Sequence, residues 1–190
     1  MIYYHGSAAA ELTELQPFSK LHQSEERVVY LSSSLPYVLF YIWDAEKTGS
    51  SRKWVTAWLK NGVAYYEEQF PGQLRAFYEG IRGYVYSVLP DESVQTVPQR
   101  EDLFFSIAPV KVYRAQLIPD VYQALLQYER EGKFQLLRFE DAAPEKQKEL
   151  IDRIAVYIRD NDLTEQDSEH SRFMKKHFMD AWNKAQGARQ

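Results

Sequence analysis

The chain has 190 residues, 45% hydrophobic and 15% aromatic, enough for a proper core and far from a disordered composition. A formal net charge of -4 gives no global attraction to nucleic acid or to an acidic membrane surface. With no cysteine in the sequence, disulfides, thiolate nucleophiles and cysteine-based zinc or iron–sulfur sites are excluded.

In chain order, residues 2–7 (IYYHGS) are apolar and aromatic and end on His5, Gly6 and Ser7, which predicts a strand. No secretory leader is expected before it, and a cytoplasmic location follows as the expectation. Residues 8–15 predict a helical turn and 18–26, with His22, an exposed loop. Residues 27–32 (RVVYLS) alternate, so Val28, Tyr30 and Ser32 share one face and Val29 and Leu31 the other. Ser34 before Leu35 and Pro36 reads as a helix N-cap with proline in the first turn. The helix runs to Trp43, too short to span a bilayer. Further helices are predicted over 53–60, stopped by Asn61-Gly62, over 63–69, and over 73–79. Their aromatic residues, Trp54 and Trp58 among them, read as core.

Residues 83–89 predict a strand, as do 103–106, 109–115 and 134–139. Helices are expected over 121–131, 144–159 and 168–188. The composition shifts near residue 116 from strand-rich to helix-rich, and one domain is expected over 1–190. Glu145, Glu149 and Asp152 read as a solvated helix face. His170 and His177 lie two turns apart, about 10 Å, too far for one metal ion, so no metal site is expected. There is no Gly-rich phosphate loop, no His-Glu-x-x-His and no Gly-x-Ser-x-Gly elbow.

Two strand ends carry chemistry. His5-Gly6-Ser7 and Tyr30-Leu31-Ser32, in that order, resemble the ADP-ribosyltransferase-like superfamily, bacterial members included. Gly83-Tyr84-Val85-Tyr86 and Ser106-Ile107-Ala108-Pro109-Val110 are similar to its remaining core strands. The likeness covers residues 1–115, with 116–190 a mainly helical extension. It implies an α+β fold with a split, mostly antiparallel sheet, and NAD as cofactor. By resemblance, His5 bonds a ribose hydroxyl, Gly6 grips the nicotinamide carboxamide through its main chain, Ser7 assists, Tyr30 stacks on the nicotinamide ring, and Ser32 completes the second motif. Cleaving the nicotinamide–ribose bond passes through an oxocarbenium-like state that needs a nearby carboxylate.

At that third element the chain departs from the family. Leu103 and Phe104 stand where bacterial relatives carry a glutamate-tryptophan pair. Glu101 lies two residues earlier, on the same strand face as Leu103 and about 7 Å away. It reads either as the working carboxylate after a small register shift or as an ordinary turn acid. Three functions follow as expectations. One is an NAD-dependent transferase or NAD glycohydrolase with an unassigned acceptor. The others are a degenerate relative that binds a nucleotide or a protein without catalysis, and an interaction domain with no nucleotide ligand. No membrane partner is expected, and the sequence carries no strong nucleic-acid signal.

Overall fold

The computed structural model describes residues 2–21 and 24–187, and the backbone but not the side chain of Glu101. His22 lies outside the described residues. Among the described residues twelve strands and seven α-helices make an α+β fold. In chain order they are β1 (Tyr3–Ser7), β2 (Glu14–Leu15), β3 (Ser19–Lys20), β4 (Arg27–Ser32), α1 (Leu35–Val38), α2 (Ala45–Thr48), β5 (Thr56–Lys60), β6 (Val63–Glu67) and α3 (Gln73–Tyr78). There follow β7 (Gly83–Val88), β8 (Val94–Val97), β9 (Arg100–Ser106), β10 (Val110–Lys111), β11 (Arg114–Ile118), α4 (Val121–Arg130), β12 (Phe134–Leu137), α5 (Pro144–Asp160), α6 (Glu169–His177) and α7 (Met179–Gly187).

The chain divides into two compact units. The first holds residues 1–43, 57–65 and 78–135; the second holds 44–56, 66–77 and 136–190. The shift in composition near residue 116 is therefore not where the contacts divide, because β11 and α4 belong with the strands before them.

In the first unit a seven-stranded sheet runs β11-β7-β1-β4-β9-β8, with β3 also on β4, and every pairing in it is antiparallel. Directly paired residues share a face, so the register sorts the side chains. Tyr3, Leu31, Tyr86, Val88 and Phe104 take one face and bury it beneath Leu15 of β2 and Val110 of β10. On that face Tyr3 stacks on Phe104, ring centroids 3.9 Å apart. Gly6, Val28, Ser32, Val85 and Phe105 take the other face. Against it lie α1 and the 3-10 turn Leu39–Tyr41. A Cβ on Gly6 would collide with the Val38 carbonyl, and one on Gly83 with Ile42 and the Ser7 carbonyl. Glycine at position 6 is what lets a helix main chain sit directly on the strand.

Several expectations change, among them the following. Residues 53–60 and 63–69 do not form helices: β5 and β6 are strands, in a three-stranded sheet of order β12-β6-β5. Asn61 and Gly62 have φ of 52° and 75°, the left-handed pair that closes a two-residue hairpin, so the dipeptide read as a helix stop is a strand connection. Burial of Ala64 and Tyr66 between half-buried neighbours shows the period of two that the aromatic run concealed. Residues 8–13 form an irregular loop, not a helix, with Glu11 in the left-handed region (φ 57°), and the Tyr86 hydroxyl donates to the Ala9 carbonyl (2.6 Å) and accepts from the Leu12 N–H (3.4 Å). The single helix expected over 168–188 is α6 and α7, broken at Phe178, which leaves helical geometry to bury its ring.

The second unit joins three chain segments by polar struts and aromatic packing. Glu68, 3% exposed, accepts from the N–H groups of Leu74 (2.9 Å) and Phe139 (3.3 Å). Burial raises its pKa, and those hydrogen bonds oppose the rise. His177 donates from Nε2 to the Thr48 carbonyl (3.0 Å) and packs against Phe173, Phe77 and Phe70. His170 meets the Tyr157 hydroxyl at 3.0 Å and stacks on Phe173. Both histidines are packing residues. Among the described residues no helix is long and apolar enough to cross a membrane.

Candidate functional site

The β1–β4 ladder is a single bridge, Tyr4 opposite Ser32, although both strands continue past it. Beyond the bridge the His5 imidazole spans to the neighbouring strand, Nδ1 donating to the main-chain carbonyl of Tyr30 at 2.9 Å. That bond places the proton on Nδ1, so in the neutral ring Nε2 is the acceptor. His5 is opposite Tyr86 and Ser7 opposite Tyr84, so both side chains take the Tyr3–Phe104 face. The Ser7 hydroxyl accepts from the Ala9 N–H at 3.1 Å.

Tyr30 takes the opposite face, across from Phe105. Its hydroxyl donates to the Lys20 carbonyl at 3.3 Å. It belongs to a phenol cluster: Tyr41 has its pKa raised, by burial first and then by Tyr37 and Tyr30, while the Arg100 guanidinium acts in the opposite sense. The two rings singled out in the sequence are thus held together through the Tyr30 main chain, not face to face across a groove. Gly6 is explained by the seat of Val38, whether or not a ligand reaches its main chain.

Ser32 is 1% exposed, and its hydroxyl is fully engaged, donating to the Asp102 carbonyl (2.8 Å) and accepting from the Ser34 N–H (3.0 Å). Next to it the Ser33 hydroxyl donates to Asp102 Oδ1 (3.0 Å) and the Ser33 N–H to the Asp102 carbonyl (3.2 Å). These bonds clamp the end of β4 to the start of β9. Glu101 sits in that start, one strand position from Asp102; its side chain lies outside the described residues.

At the same place the first unit has a cavity of about 290 Å³. One wall comes from the β5–β6 hairpin, with Trp58, Leu59 and Asn61, and the other from β9 and the turn before it, with Gln99, Arg100, Asp102 and Leu103. The Trp58 ring is backed by Tyr65, parallel within 8° at 5.4 Å. Arg100 and Asp102 form no ion pair with one another, and among the described residues the guanidinium has no hydrogen-bond partner. Leu103, where the ADP-ribosyltransferase resemblance requires an acid, is part of the wall and shares the Ser32 and Tyr30 face.

The motif strands therefore bring Tyr30, Ser32 and the acid position to one face, and His5 and Ser7 to the other. The cavity residues Trp58, Asn61 and Arg100 were not singled out from the sequence as site residues. The available signal was the pair of two-residue turns, Asn61-Gly62 and Pro98-Gln99, each standing between two short runs of strand length. No group of three or more acidic or histidine side chains among the described residues is arranged to hold a metal ion. Comparison with known protein families, with curated proteins and with solved structures finds no match to this chain.

Proposed function

We propose that the first unit is an ADP-ribosyltransferase-like domain that binds a nucleotide, NAD foremost, and holds it without transfer chemistry. One observation carries this reading: the cavity between the β5–β6 hairpin and the start of β9 has an apolar side chain, Leu103, at the position where the family sets its carboxylate. A leucine gives no stabilisation to a developing oxocarbenium charge, while the surrounding polar and aromatic groups still favour a bound polar ring system. His5 and Ser7 lie on the opposite sheet face, so in this reading His5 acts on the strand that carries Tyr30 and not on the ligand.

The test is thermal unfolding with and without NAD, together with an assay of free nicotinamide. The expected result is a raised unfolding midpoint with no nicotinamide released above that from NAD alone, and a smaller rise in Tyr30→Ala. Nicotinamide release abolished by Glu101→Gln would overturn the silent-binder reading in favour of a transferase or glycohydrolase. An unmoved midpoint at millimolar NAD would overturn the nucleotide reading and leave an interaction domain.

A further inference from the structure

The lining of the 290 Å³ cavity is specific enough to name what it holds. Its groups differ in kind. Trp58 offers a flat indole, held by the parallel Tyr65 ring behind it. Asn61 and Gln99 sit on the two adjoining hairpin turns, both in left-handed backbone conformation. Their side-chain amides each carry a donor and an acceptor. Asp102 has Oδ1 fixed by the Ser33 hydroxyl, and no hydrogen bond or ion pair engages Oδ2 among the described residues. Arg100 adds a guanidinium without an ion-pair partner among them.

Each demands a different part of a ligand. An indole face recognises a planar ring, and two side-chain amides recognise a ring edge that both donates and accepts. A fixed carboxylate accepts from hydroxyls, and a guanidinium takes a phosphate, in bidentate geometry where it can. A sugar phosphate would leave the indole unused, and a neutral aromatic would leave the arginine unused. A nucleoside 5′-phosphate uses all four. Volume sets the limit: ligand sites for drug-sized molecules begin at about 300 Å³, so the space suits one nucleotide and not both halves of a dinucleotide.

We infer that this cavity is a nucleoside 5′-monophosphate subsite, with the base on Trp58, the ribose hydroxyls on Asp102 and the phosphate on Arg100. The inference rests on the nucleotide reading above and deepens it, assigning one half of an NAD-sized ligand to residues outside the His5 and Tyr30 motifs.

Calorimetric titration with AMP, adenosine and NAD tests it, with tryptophan fluorescence followed in parallel. In the unsubstituted chain AMP is expected to bind more tightly than adenosine by about tenfold or more, the usual contribution of a charge-assisted contact. Arg100→Ala should remove that advantage while leaving adenosine binding unchanged, and Trp58→Leu should weaken AMP and adenosine alike. Arg100 is exposed and Trp58 partly so, and matching circular dichroism and unfolding midpoints identify folded variants. If NAD binds but AMP does not, or if NAD affinity is the same in Arg100→Ala and Trp58→Leu as in the unsubstituted chain, the subsite assignment is overturned and the nucleotide reading stands. If none of the three ligands binds, the nucleotide reading falls with it.

Discussion

The two units use their polar side chains in opposite ways. In the second, three separated chain segments must be held together with little sheet between them, and buried polar groups do the joining: both Glu68 oxygens take main-chain N–H groups, and His177 holds the Thr48 carbonyl. In the first, antiparallel ladders satisfy most of the backbone. Two of its charged side chains, Arg100 and Asp102 at the start of β9, line one cavity and form no ion pair with one another. A segment that lacks ladder partners consumes its polar side chains internally. A sheet frees them for a ligand.

The sharpest way to break this contrast is at the contact that positions the first unit's helix. Gly6→Ala drives a methyl into the Val38 carbonyl, which cannot move aside as a flexible side chain would. We expect about 3 kcal/mol of lost stability or more, or no folded protein, in denaturant unfolding. Next is Glu68→Gln in the second unit. The amide oxygen can still accept one N–H, but its NH₂ is turned against the other, for a loss of about 1–3 kcal/mol by the same measurement.

The histidines come third. Burial lowers the pKa of His170 and of His177 from the ordinary 6.5, so the folded chain favours their neutral forms. The unfolded chain then binds more protons below pH 6.5, and the stability they contribute is complete above that pH and is lost as the pH falls below it. Glu68, its pKa raised, acts in the reverse sense: its contribution is complete below 4.5 and is lost as the pH rises through its folded value. The double variant H170N/H177N separates the two, and its unfolding free energy should fall less between pH 7.5 and pH 5.5 (on the order of the histidine range) than that of the unsubstituted chain. The smallest effect is expected from Asp152→Asn. That carboxylate pairs with Lys148 and Lys184 on an exposed face, where salt screens the interaction, and the unfolding midpoint should barely change.

Much of the fold was legible where one signal dominated. Residues 27–32 hold a short β-branched and aromatic run and form β4 over that same range, and the apolar spacing after Pro144 reads directly as α5. The reading failed where two signals shared the same residues. Asn61-Gly62 is both a helix stop and a hairpin turn, and only the partner strands distinguish them. The motif strands were legible as strands, whereas the residues that line the cavity were not read as a site. Which face each ring took was not legible, because a position in the sequence carries parity along its own strand but not register against its neighbour.

By itself the amino-acid order determined the α+β class, the absence of thiol chemistry, and the two short motifs His5-Gly6-Ser7 and Tyr30-Leu31-Ser32. Only the tertiary structure decided that the His5 imidazole bonds the Tyr30 carbonyl, that Gly6 serves a helix, and that Trp58, Arg100 and Asp102 meet around one space. The physical reason is range. Periodicity and turn chemistry act over a few residues, whereas a cavity is made by side chains some forty positions apart whose approach is set by ladder register and close packing.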